Sequence, residues 1–579
     1  MTRRLPKALI AVLAAAALAA ASCADDSSDT PAADPAPDDA STTTTEPGED
    51  VVASDDPIQV ATVVTPSEVS PIAARVTVES NVAVTVQITA TADDHEVTTP
   101  VTAQSATEHD LPLVGMRQAR DYEVAMTVVD AAGNVLTTTE PFTTGTIDDN
   151  VPDFEIVEHD PDRRSPGITI VETNTVRAAL PGDFGGNAVV GLDEDDEIVW
   201  YYNTDRFNGA VQQTPAGEVA AQNDPFGMTV HAITGEALRR YYPDPEGDDE
   251  ITVEDGVALT PYHADWVDLG TVHHDLQWQP DGTAFAISRT IHEIPVARQQ
   301  ELCPGDELEW GVISDVIMHI EPDGTVLRTW DLWDISSFDD LPGEFLCQTQ
   351  GLGITPTERD WTHANALWFD ETRDVVLVSS RHTDQIIALA MTDETGPQTE
   401  ARWILGADGT IPYAGESFHH THGVKTTADG DILFYDNGNF RPGSLSAGGD
   451  DPNYSRAVRI AVDDSGDDPS TWSATQVWDH RMIDPVTDEL IYAPFISDAD
   501  ELSNGNILVT HGGATVDPND YTASHVHLVE IDPITQDEGG DAFGGDIVWE
   551  LRAGGDQPES TYRADRWASL YFGPLWATE

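Results

Sequence analysis

The chain has 579 residues, of which 40% are hydrophobic, so it is long enough for two or more domains with packed cores. It carries 104 acidic and 27 basic side chains, which gives a formal net charge of −77. This charge excludes a nucleic-acid partner, whose binding needs a basic footprint, and it excludes electrostatic adhesion to anionic lipid. An acidic surface with few lysines is instead typical of a secreted, salt-tolerant protein.

The first segment predicts export. Arg3, Arg4 and Lys7 form a positive amino-terminal region, and the Ala/Leu-rich run that follows is too short to span a bilayer comfortably. The stretch AASC resembles a bacterial lipoprotein box, so residues 1–23 are predicted to be a lipoprotein-type signal peptide with Cys23 as the lipidated residue. Ordinary signal cleavage nearby is the alternative. We expect an exported protein at the cell membrane, at the cell surface or in the periplasm, attached to the membrane only through its lipid.

The next segment, residues 24–57, is acidic and rich in Pro, Thr and Ala, and it has few large apolar side chains. Such a stretch cannot bury enough surface to offset the entropy lost on ordering. We therefore predict a disordered linker that separates the leader from the folded part of the chain.

The cysteines fit an oxidising compartment. Once Cys23 carries the lipid, Cys303 and Cys347 remain as an even pair, and a disulfide between them is expected. Their spacing does not suit a zinc ribbon, and the chain contains no Cys-x-x-Cys.

Residues 58–146 alternate apolar and polar side chains in stretches such as ARVTVESNVAVTVQITATA and RDYEVAMTVVD. Alternation with a period of two, rich in Val and Thr, predicts β-strands. About seven short strands in this span predict a small β-sandwich of the immunoglobulin or fibronectin type, and nothing in it indicates chemistry.

From about residue 150 to residue 579 the chain repeats a strand, a turn and a second strand. Four of these units begin at His274, His363, His422 and Ser497. Six further hairpins each end in an aromatic residue: Trp200, Tyr241, Trp330, Trp403, Trp478 and Trp549. Units of four strands are typical of propeller blades, so the sequence predicts an all-β chain with a six-bladed β-propeller, with five or seven blades as alternatives.

Histidine begins three of the units, and His274, His363 and His422 each lie seven residues before a turn residue. Successive blades of a propeller place equivalent positions around one axis, so these imidazoles are predicted to meet in one funnel. His273 precedes the first of them, and His420 lies two residues before the third, so both are alternatives for the active position.

Three converging imidazoles suit either a metal ion or a group-transfer reaction in which histidine is nucleophile or acid. Nearby cations favour the second chemistry. Arg381 ends the second strand of the His363 unit, and Lys425 follows His422 by three residues. An arginine fork matches a tetrahedral oxyanion, so an anion site is predicted and neither a metal nor another cofactor is expected.

The stretches that carry these residues resemble the bacterial arylsulfotransferase family. The similarity covers roughly residues 58–579 and lies in the stretches VHHDLQWQPDG, DWTHANALWFDETRDVVLVSSRH, WILGADG, HTHGVKTTADGDILFYDNG and YRADRWASLYFGP. It implies an exported six-bladed propeller behind a β-sandwich. It also implies transfer of a sulfuryl group from a phenolic sulfate donor to a phenol acceptor without a nucleotide sulfate. Family members can be dimeric, so the resemblance leaves a homo-oligomer open.

The resemblance also suggests roles for single residues. His422 matches the nucleophile, which is transiently sulfurylated in a ping-pong cycle. His274, His363 and Arg381 match the residues that hold the sulfate and assist the leaving group. Four more residues of these motifs are expected to contact substrate: His273, His420, Lys425 and Asn437.

Two other functions compete with this interpretation. A metal-dependent propeller hydrolase or lactonase would use the three histidines as ligands, and an arginine within reach of them would count against it. A non-catalytic surface propeller would bind its ligand without turnover.

Overall fold

The structure is a computed structural model, and most of the chain beyond the linker is described. The described residues are 57–148, 151–176, 184–203, 209–224, 227–242, 265–268, 271–305, 309–341, 344–347, 357–392, 394–485, 487–515, 524–534, 544–554 and 558–577. The predicted signal peptide with Cys23, and all but the last residue of the predicted linker, lie outside these ranges, so export and lipid attachment stay predictions. Within the described ranges, no helix is long and apolar enough to cross a membrane.

An antiparallel sandwich forms the N-terminal domain. Its strands are β1 (Val60–Pro66), β2 (Ala74–Thr91), β3 (Glu96–Thr98), β4 (Ala106–Leu113), β5 (Asp121–Asp130) and β6 (Val135–Thr143). The first half of β2 lies between β1 and β4, and the second half lies between β3 and β5. One long strand thus serves both layers, which is why six strands are found where about seven were expected. Alternate residues such as Val76, Val86 and Met126 fill the core, and the predicted sandwich is confirmed.

The remaining described residues form sheets of four to six strands, numbered here in chain order, and one small hairpin. Sheet 1 contains β8 (Ile168–Val176), β9 (Phe184–Leu192), β10 (Ile198–Asn203), β37 (Glu559–Ser560) and β38 (Ala564–Trp567). Sheet 2 contains β11 (Gly209–Gln213), β12 (Val219–Asp224), β13 (Gly227–His231), β14 (Ala237–Tyr242) and β15 (Asp265–Asp268). Sheet 3 contains β16 (Leu276–Trp278), β17 (Ala284–Glu293), β18 (Gly311–Ile320), β19 (Val326–Asp331), β20 (Glu358–Asp360) and β24 (Gly396–Gln398).

The second half of the chain continues the series. Sheet 4 contains β21 (Ala364–Asp370), β22 (Val375–Ser380), β23 (Gln385–Ala390) and β25 (Ala401–Gly406). Sheet 5 contains β26 (Tyr413–Ala414), β27 (Thr421–Thr426), β28 (Ile432–Asp436), β29 (Arg456–Asp463) and β30 (Ser473–His480). Sheet 6 contains β7 (Phe154–His159), β33 (Asp498–Glu501), β34 (Ile507–Ala514), β35 (His525–Pro533) and β36 (Gly545–Ala553). The hairpin is β31 (Ile483–Asp484) with β32 (Glu489–Leu490).

In the described ranges, helical structure is confined to connections. The α-helices found there are α1 (Val296–Leu302) and α2 (Leu332–Ile335), and the short 3₁₀ turns are Glu344–Cys347, Arg381–Thr383, Leu445–Ala447 and Pro469–Thr471. Helix α2 begins at Asp331, whose side chain accepts a hydrogen bond from the backbone N–H of Trp333.

The two ends of the repeat region are shared between the first and last sheets. Strand β7 precedes sheet 1 in the chain but pairs with β36 of sheet 6, whereas β37 and β38 follow sheet 6 but pair with β8 of sheet 1. Each junction joins the start and the end of the repeat region by main-chain hydrogen bonds. The repeats suggest that each sheet comes from one contiguous segment, but sheets 1 and 6 each take strands from both ends of this region.

The cores lie between neighbouring sheets. One buried cluster fills the space between each sheet and the next, and another joins sheet 6 to sheet 1. The aromatic residues predicted to close the hairpins belong to these clusters, and Trp330, Trp403, Trp478 and Trp549 are fully buried. The all-β, propeller-like fold is thus confirmed. The described residues hold six such sheets, and the number of blades in the whole chain stays a prediction.

The predicted disulfide is present between Cys303 and Cys347, whose Cα atoms are 5.4 Å apart. Cys303 packs in a small cluster with Trp310, Phe338 and Trp361. This cluster lies against the segment that enters the candidate site, because Trp361 immediately follows strand β20.

Candidate active site

Three histidines precede the innermost strands of sheets 3, 4 and 5. His274 lies two residues before β16, His363 immediately before β21, and His420 immediately before β27. All three have a positive φ, between +48° and +59°, in the left-handed region that residues other than glycine seldom occupy. Strained backbone of this kind concentrates at functional sites, and here it recurs at one step of the repeat.

His422 reaches the site from a different backbone position, as the second residue of β27. A register shift bends this strand, and Gly423 beside it has a φ of +58°. A Cβ atom at Gly423 would collide with the carboxylate of Asp498, so the chain needs glycine there. His420 shares the positive φ of the other two histidines, whereas His422 lies two residues before the regularly paired part of its strand, as His274 does, so the choice between His420 and His422 stays a prediction.

The imidazole rings nevertheless form one group. His274 packs edge-on against His363 with ring centroids 4.8 Å apart, and His363 stacks on His382 at 4.4 Å. His382 in turn lies 5.9 Å from the ring of His420. His422 is close enough to His274 and His363 to interact with them electrostatically. The structure thus gathers the three predicted histidines, and it adds His382, which the sequence analysis did not single out although it closes the quoted SSRH stretch.

The orientation of His422 is fixed by a buried amide. Asn437 donates from Nδ2 to the carbonyl oxygens of Ala493 at 2.6 Å and Ile496 at 3.0 Å. Its Oδ1 therefore accepts, and it lies 2.6 Å from Nδ1 of His422. This contact places the proton of the neutral imidazole on Nδ1 and leaves the lone pair on Nε2. Asn437 thus holds the ring of His422, and its expected contact with substrate stays a prediction.

His363 is held by a carboxylate. Asp360, at the end of β20, lies with Oδ2 at 2.5 Å from Nδ1 of His363, and its backbone carbonyl accepts from Nδ1 of His382 at 3.2 Å. The ligand atoms of these three residues lie within 4.8 Å of one another, so this trio is the part of the site that could hold a metal ion.

A second buried carboxylate acts on His274 through its neighbour. Asp315 faces Nε2 of His273 at 3.2 Å, and Nδ1 of His273 lies 2.7 Å from Nδ1 of His274. Because Asp315 accepts the Nε2 proton, Nδ1 of His273 is left to accept from His274. Asp315 is itself held by the hydroxyl of Thr362 at 2.6 Å. His273 thus links Asp315 to His274, and its expected contact with substrate stays a prediction.

Two guanidinium groups lie beside the histidines. The buried Arg381 donates from Nη2 to the carbonyl oxygen of Pro494 at 2.9 Å. Arg563 donates to Oδ2 of Asp275 at 3.1 Å and to the carbonyl oxygen of Asn365 at 3.0 Å. Arg381 was predicted, whereas Arg563 was missed, although it lies in the YRADRW stretch that carries part of the family resemblance.

Burial and nearby positive charge keep four of these imidazoles neutral. Burial lowers the pKa of His274, His382, His420 and His422 well below the usual value. Repulsion from a positive charge on His363 is the next cause at His274 and His382, and the charge of Arg381 is the next cause at His420 and His422. At neutral pH the site therefore combines these four uncharged imidazoles with fixed guanidinium charges, an arrangement that suits an anionic group.

Lys425 does not join this group. Its Nζ lies 2.9 Å from Oδ2 of Asp498 and also contacts Asp500. These residues line a cavity of about 810 Å³ whose lining also includes Arg563 but none of the candidate histidines. The charge of Lys425 is neutralised within the protein, and its expected contact with substrate stays a prediction.

Comparison with known proteins was made on the sequence and on the fold. The arylsulfotransferase (ASST) family matches residues 186–542, and the arylsulfotransferase Ig-like domain matches residues 61–145. No curated protein sequence matches the chain. A protein of unknown function from Bacteroides caccae is 14% identical, with 69% of this chain and 98% of that chain covered and a TM-score of 0.34.

Two further solved structures show similar coverage. A putative 6-phosphogluconolactonase from Bacteroides uniformis is 10% identical over 83% of this chain and 99% of its own, with a TM-score of 0.31. The dihydro-heme d1 dehydrogenase NirN is 9% identical over 70% of this chain and 75% of its own, with a TM-score of 0.26. The family match spans more than half of the sequence and includes His274, His363, Arg381 and His422, so the chain belongs to the arylsulfotransferase family.

Proposed function

We propose that this protein moves a sulfuryl group from a phenolic sulfate ester to a phenol, with His422 as the transiently sulfurylated nucleophile. Membership of the arylsulfotransferase family supports small phenolic substrates and an exported protein. The single observation that carries the finer proposal is the contact between His422 Nδ1 and Asn437 Oδ1, which leaves Nε2 of a buried, neutral imidazole as a nucleophile.

In the first half-reaction, Nε2 of His422 attacks sulfur in line with the phenolic oxygen. The N–S bond forms as the S–O bond breaks, and the electron pair leaves on the phenolate. The lowered pKa of His422, caused first by burial and then by Arg381, keeps Nε2 unprotonated at neutral pH. No deprotonation of the nucleophile has to precede the attack.

His363 is the proposed general acid. Its Nδ1 faces the carboxylate of Asp360 at 2.5 Å, which holds the ring so that Nε2 carries the proton to be donated. The departing phenolate takes the Nε2 proton of His363. In the second half-reaction the acceptor phenol returns a proton to His363 as its oxygen attacks sulfur and breaks the N–S bond.

The remaining requirement is to stabilise the negative charge on the transferring group. The sulfuryl oxygens carry negative charge throughout, and the charges of Arg381 and Arg563 already act on His422. His274, held by the relay from Asp315 through His273, supplies a further oriented imidazole on the same side. No step of this cycle needs a metal ion, because the phenolate is a good leaving group.

A metal-dependent hydrolase remains the second candidate, and one observation favours it. The trio Asp360, His363 and His382 offers ligand atoms within 4.8 Å of one another. This is not the set of three histidines expected from the sequence, and the guanidinium charges beside the site oppose a bound cation.

The deciding experiment is turnover of 4-nitrophenyl sulfate by the purified protein in chelator-treated buffer, with and without added phenol. We expect nitrophenol release that depends on phenol, with phenyl sulfate formed in step, and a sulfurylated His422 peptide in mass spectra when acceptor is withheld. His422→Asn abolishes both signals. His319→Asn, which alters a buried histidine bonded to Thr283 outside the site, retains them.

Three results would contradict the proposal. Release that ignores phenol would indicate hydrolysis, and activity lost with chelator but restored by Zn²⁺ would favour the metal site. Near-wild-type turnover by a folded His422→Asn protein would remove the nucleophile assignment.

A further inference from the structure

A second group of histidines lies on sheet 6, apart from the candidate active site. His511 on β34 and His527 on β35 are directly paired across the two strands, so their side chains share one face of the sheet. His525 lies two residues before His527 on that same face. Asp484, from the β31–β32 hairpin, lies against them. Each of these residues is at least nine-tenths buried.

The imidazole nitrogens and the carboxylate oxygens of this group face one another at distances typical of the ligands of a metal ion. Oδ2 of Asp484 lies 3.1 Å from Nε2 of His525, and Oδ1 lies 3.8 Å from Nε2 of His527. All three groups offer ligand atoms within 4.8 Å of one another. Ligands of a tetrahedral zinc ion are about 3.4 Å apart, given metal–ligand bonds of about 2.0–2.1 Å. The group therefore needs little movement to surround an ion.

The outer nitrogens of two of the rings are held as they are in metal sites. Nδ1 of His527 faces Oε1 of Glu550 at 3.2 Å, and Arg552 donates to the same oxygen at 2.6 Å. Nδ1 of His511 lies 2.7 Å from the hydroxyl of Tyr435. Partners of this kind fix the ring and leave Nε2 as the ligating nitrogen, as in carboxylate–histidine–zinc arrangements.

An independent observation indicates that a ligand belongs here. Nε2 of His511 is buried and has no hydrogen-bond partner among the described residues. A buried polar atom left unpaired is destabilising, so native proteins usually supply a partner. Because Nδ1 of this ring is taken by Tyr435, and because His511 is paired with His527 across the strands, Nε2 is the fourth candidate ligand atom.

We propose that Asp484, His525 and His527 bind a structural divalent transition-metal ion, such as Zn²⁺, with His511 as a fourth ligand. Imidazole nitrogens with one carboxylate oxygen form a donor set that suits this class of metal. The ion would join the β31–β32 hairpin to strands β34 and β35. Its position lies outside the group formed by His274, His363 and His422, so this proposal does not depend on sulfuryl transfer.

The test uses the whole protein, stripped of metal with a chelator and then titrated with Zn²⁺ by calorimetry. We expect about one tightly bound ion per chain and a higher melting temperature in its presence. Asp484→Asn and His527→Gln should weaken binding at least about a hundredfold, and Glu550→Gln about ten- to a hundredfold, as expected for a group that orients a ligand. His382→Gln, in the trio of the candidate active site, should bind Zn²⁺ as the parent does.

Several results would contradict the proposed metal site. The proposal is overturned if the parent protein binds no Zn²⁺, or if the bound ion persists unchanged in both ligand variants. Loss of the ion in His382→Gln with retention in His527→Gln would assign it to the other trio instead. Should the ligand variants fail to fold, anomalous scattering at the zinc edge from crystals of the parent protein decides the matter. A peak between Asp484 and His527 supports the site, and its absence there rejects it.

Discussion

Replacing Asn437 with alanine tests the most specific feature of the proposed mechanism. The substitution removes the acceptor at 2.6 Å from Nδ1 of His422 and frees the ring to turn or to carry its proton on Nε2. Leaving a buried donor without its partner costs about 1–3 kcal/mol. If this cost raises the energy of the transition state, the rate falls by roughly 5- to 150-fold. We expect a loss in this range in the formation of sulfo-histidine from 4-nitrophenyl sulfate, measured in single turnovers without acceptor.

The same change removes a donor from two buried carbonyl groups, so a stability loss must be separated from the rate loss. Asn506→Ala is the matched control. Asn506 is buried and donates to the carbonyl oxygen of Arg163 at 2.8 Å and to Glu530 at 2.7 Å, but it contacts no imidazole. Both variants should unfold at lower urea concentration, and only Asn437→Ala should lose rate. A folded Asn437→Ala protein with the parent rate would refute the role assigned to this amide.

Three further outcomes follow from the same structure. Asp360→Asn should lower kcat/KM about a hundredfold for phenyl sulfate but by less than about tenfold for 4-nitrophenyl sulfate, because nitrophenolate leaves without a proton. Equal losses for the two esters would contradict general-acid catalysis by His363. Replacing both Cys303 and Cys347 with serine opens a loop of 44 residues and should lower the free energy of unfolding by about 4 kcal/mol, measured in urea, whereas an unchanged midpoint would show that the bond adds no stability. Between pH 7.5 and 5.5 the free energy of unfolding should fall, because the unfolded chain takes up protons below the ordinary histidine pKa while the folded chain keeps four buried imidazoles neutral. The loss at pH 5.5 is up to about 1.4 kcal/mol for each of these histidines. Urea midpoints that do not change over this pH range would contradict the prediction.

Local sequence patterns were sufficient for the fold class and for most of the candidate residues. Alternation of apolar side chains fixes which face of a strand is buried, so the strands of the sandwich and the repeats could be read directly. The aromatic residues of the closing hairpins, such as Trp403 and Trp549, are fully buried as expected. Sequence could not foresee that β7 pairs with β36 and that β38 pairs with β8, because that pairing joins segments from opposite ends of the repeat region.

The candidate site shows the same division. Recurrence of histidine in successive units was enough to predict that His274, His363 and His422 converge, since a repeat architecture places equivalent strands around one axis. It was not enough to give the local backbone, because the positive φ of His274, His363 and His420 and the bend of β27 at Gly423 depend on how the finished sheets pack.

The hydrogen bonds that give each imidazole its function were beyond the sequence. Asp360 and Asn437 lie in the same quoted stretches as His363 and His422, but nothing in those stretches shows that they bond to these rings. Asp315, which faces His273, lies outside every quoted stretch. The residue types and their period thus determined which side chains are available. Only the tertiary structure decided which nitrogen of each ring is protonated and which charges lie beside it, because both depend on hydrogen bonds made after the sheets have packed.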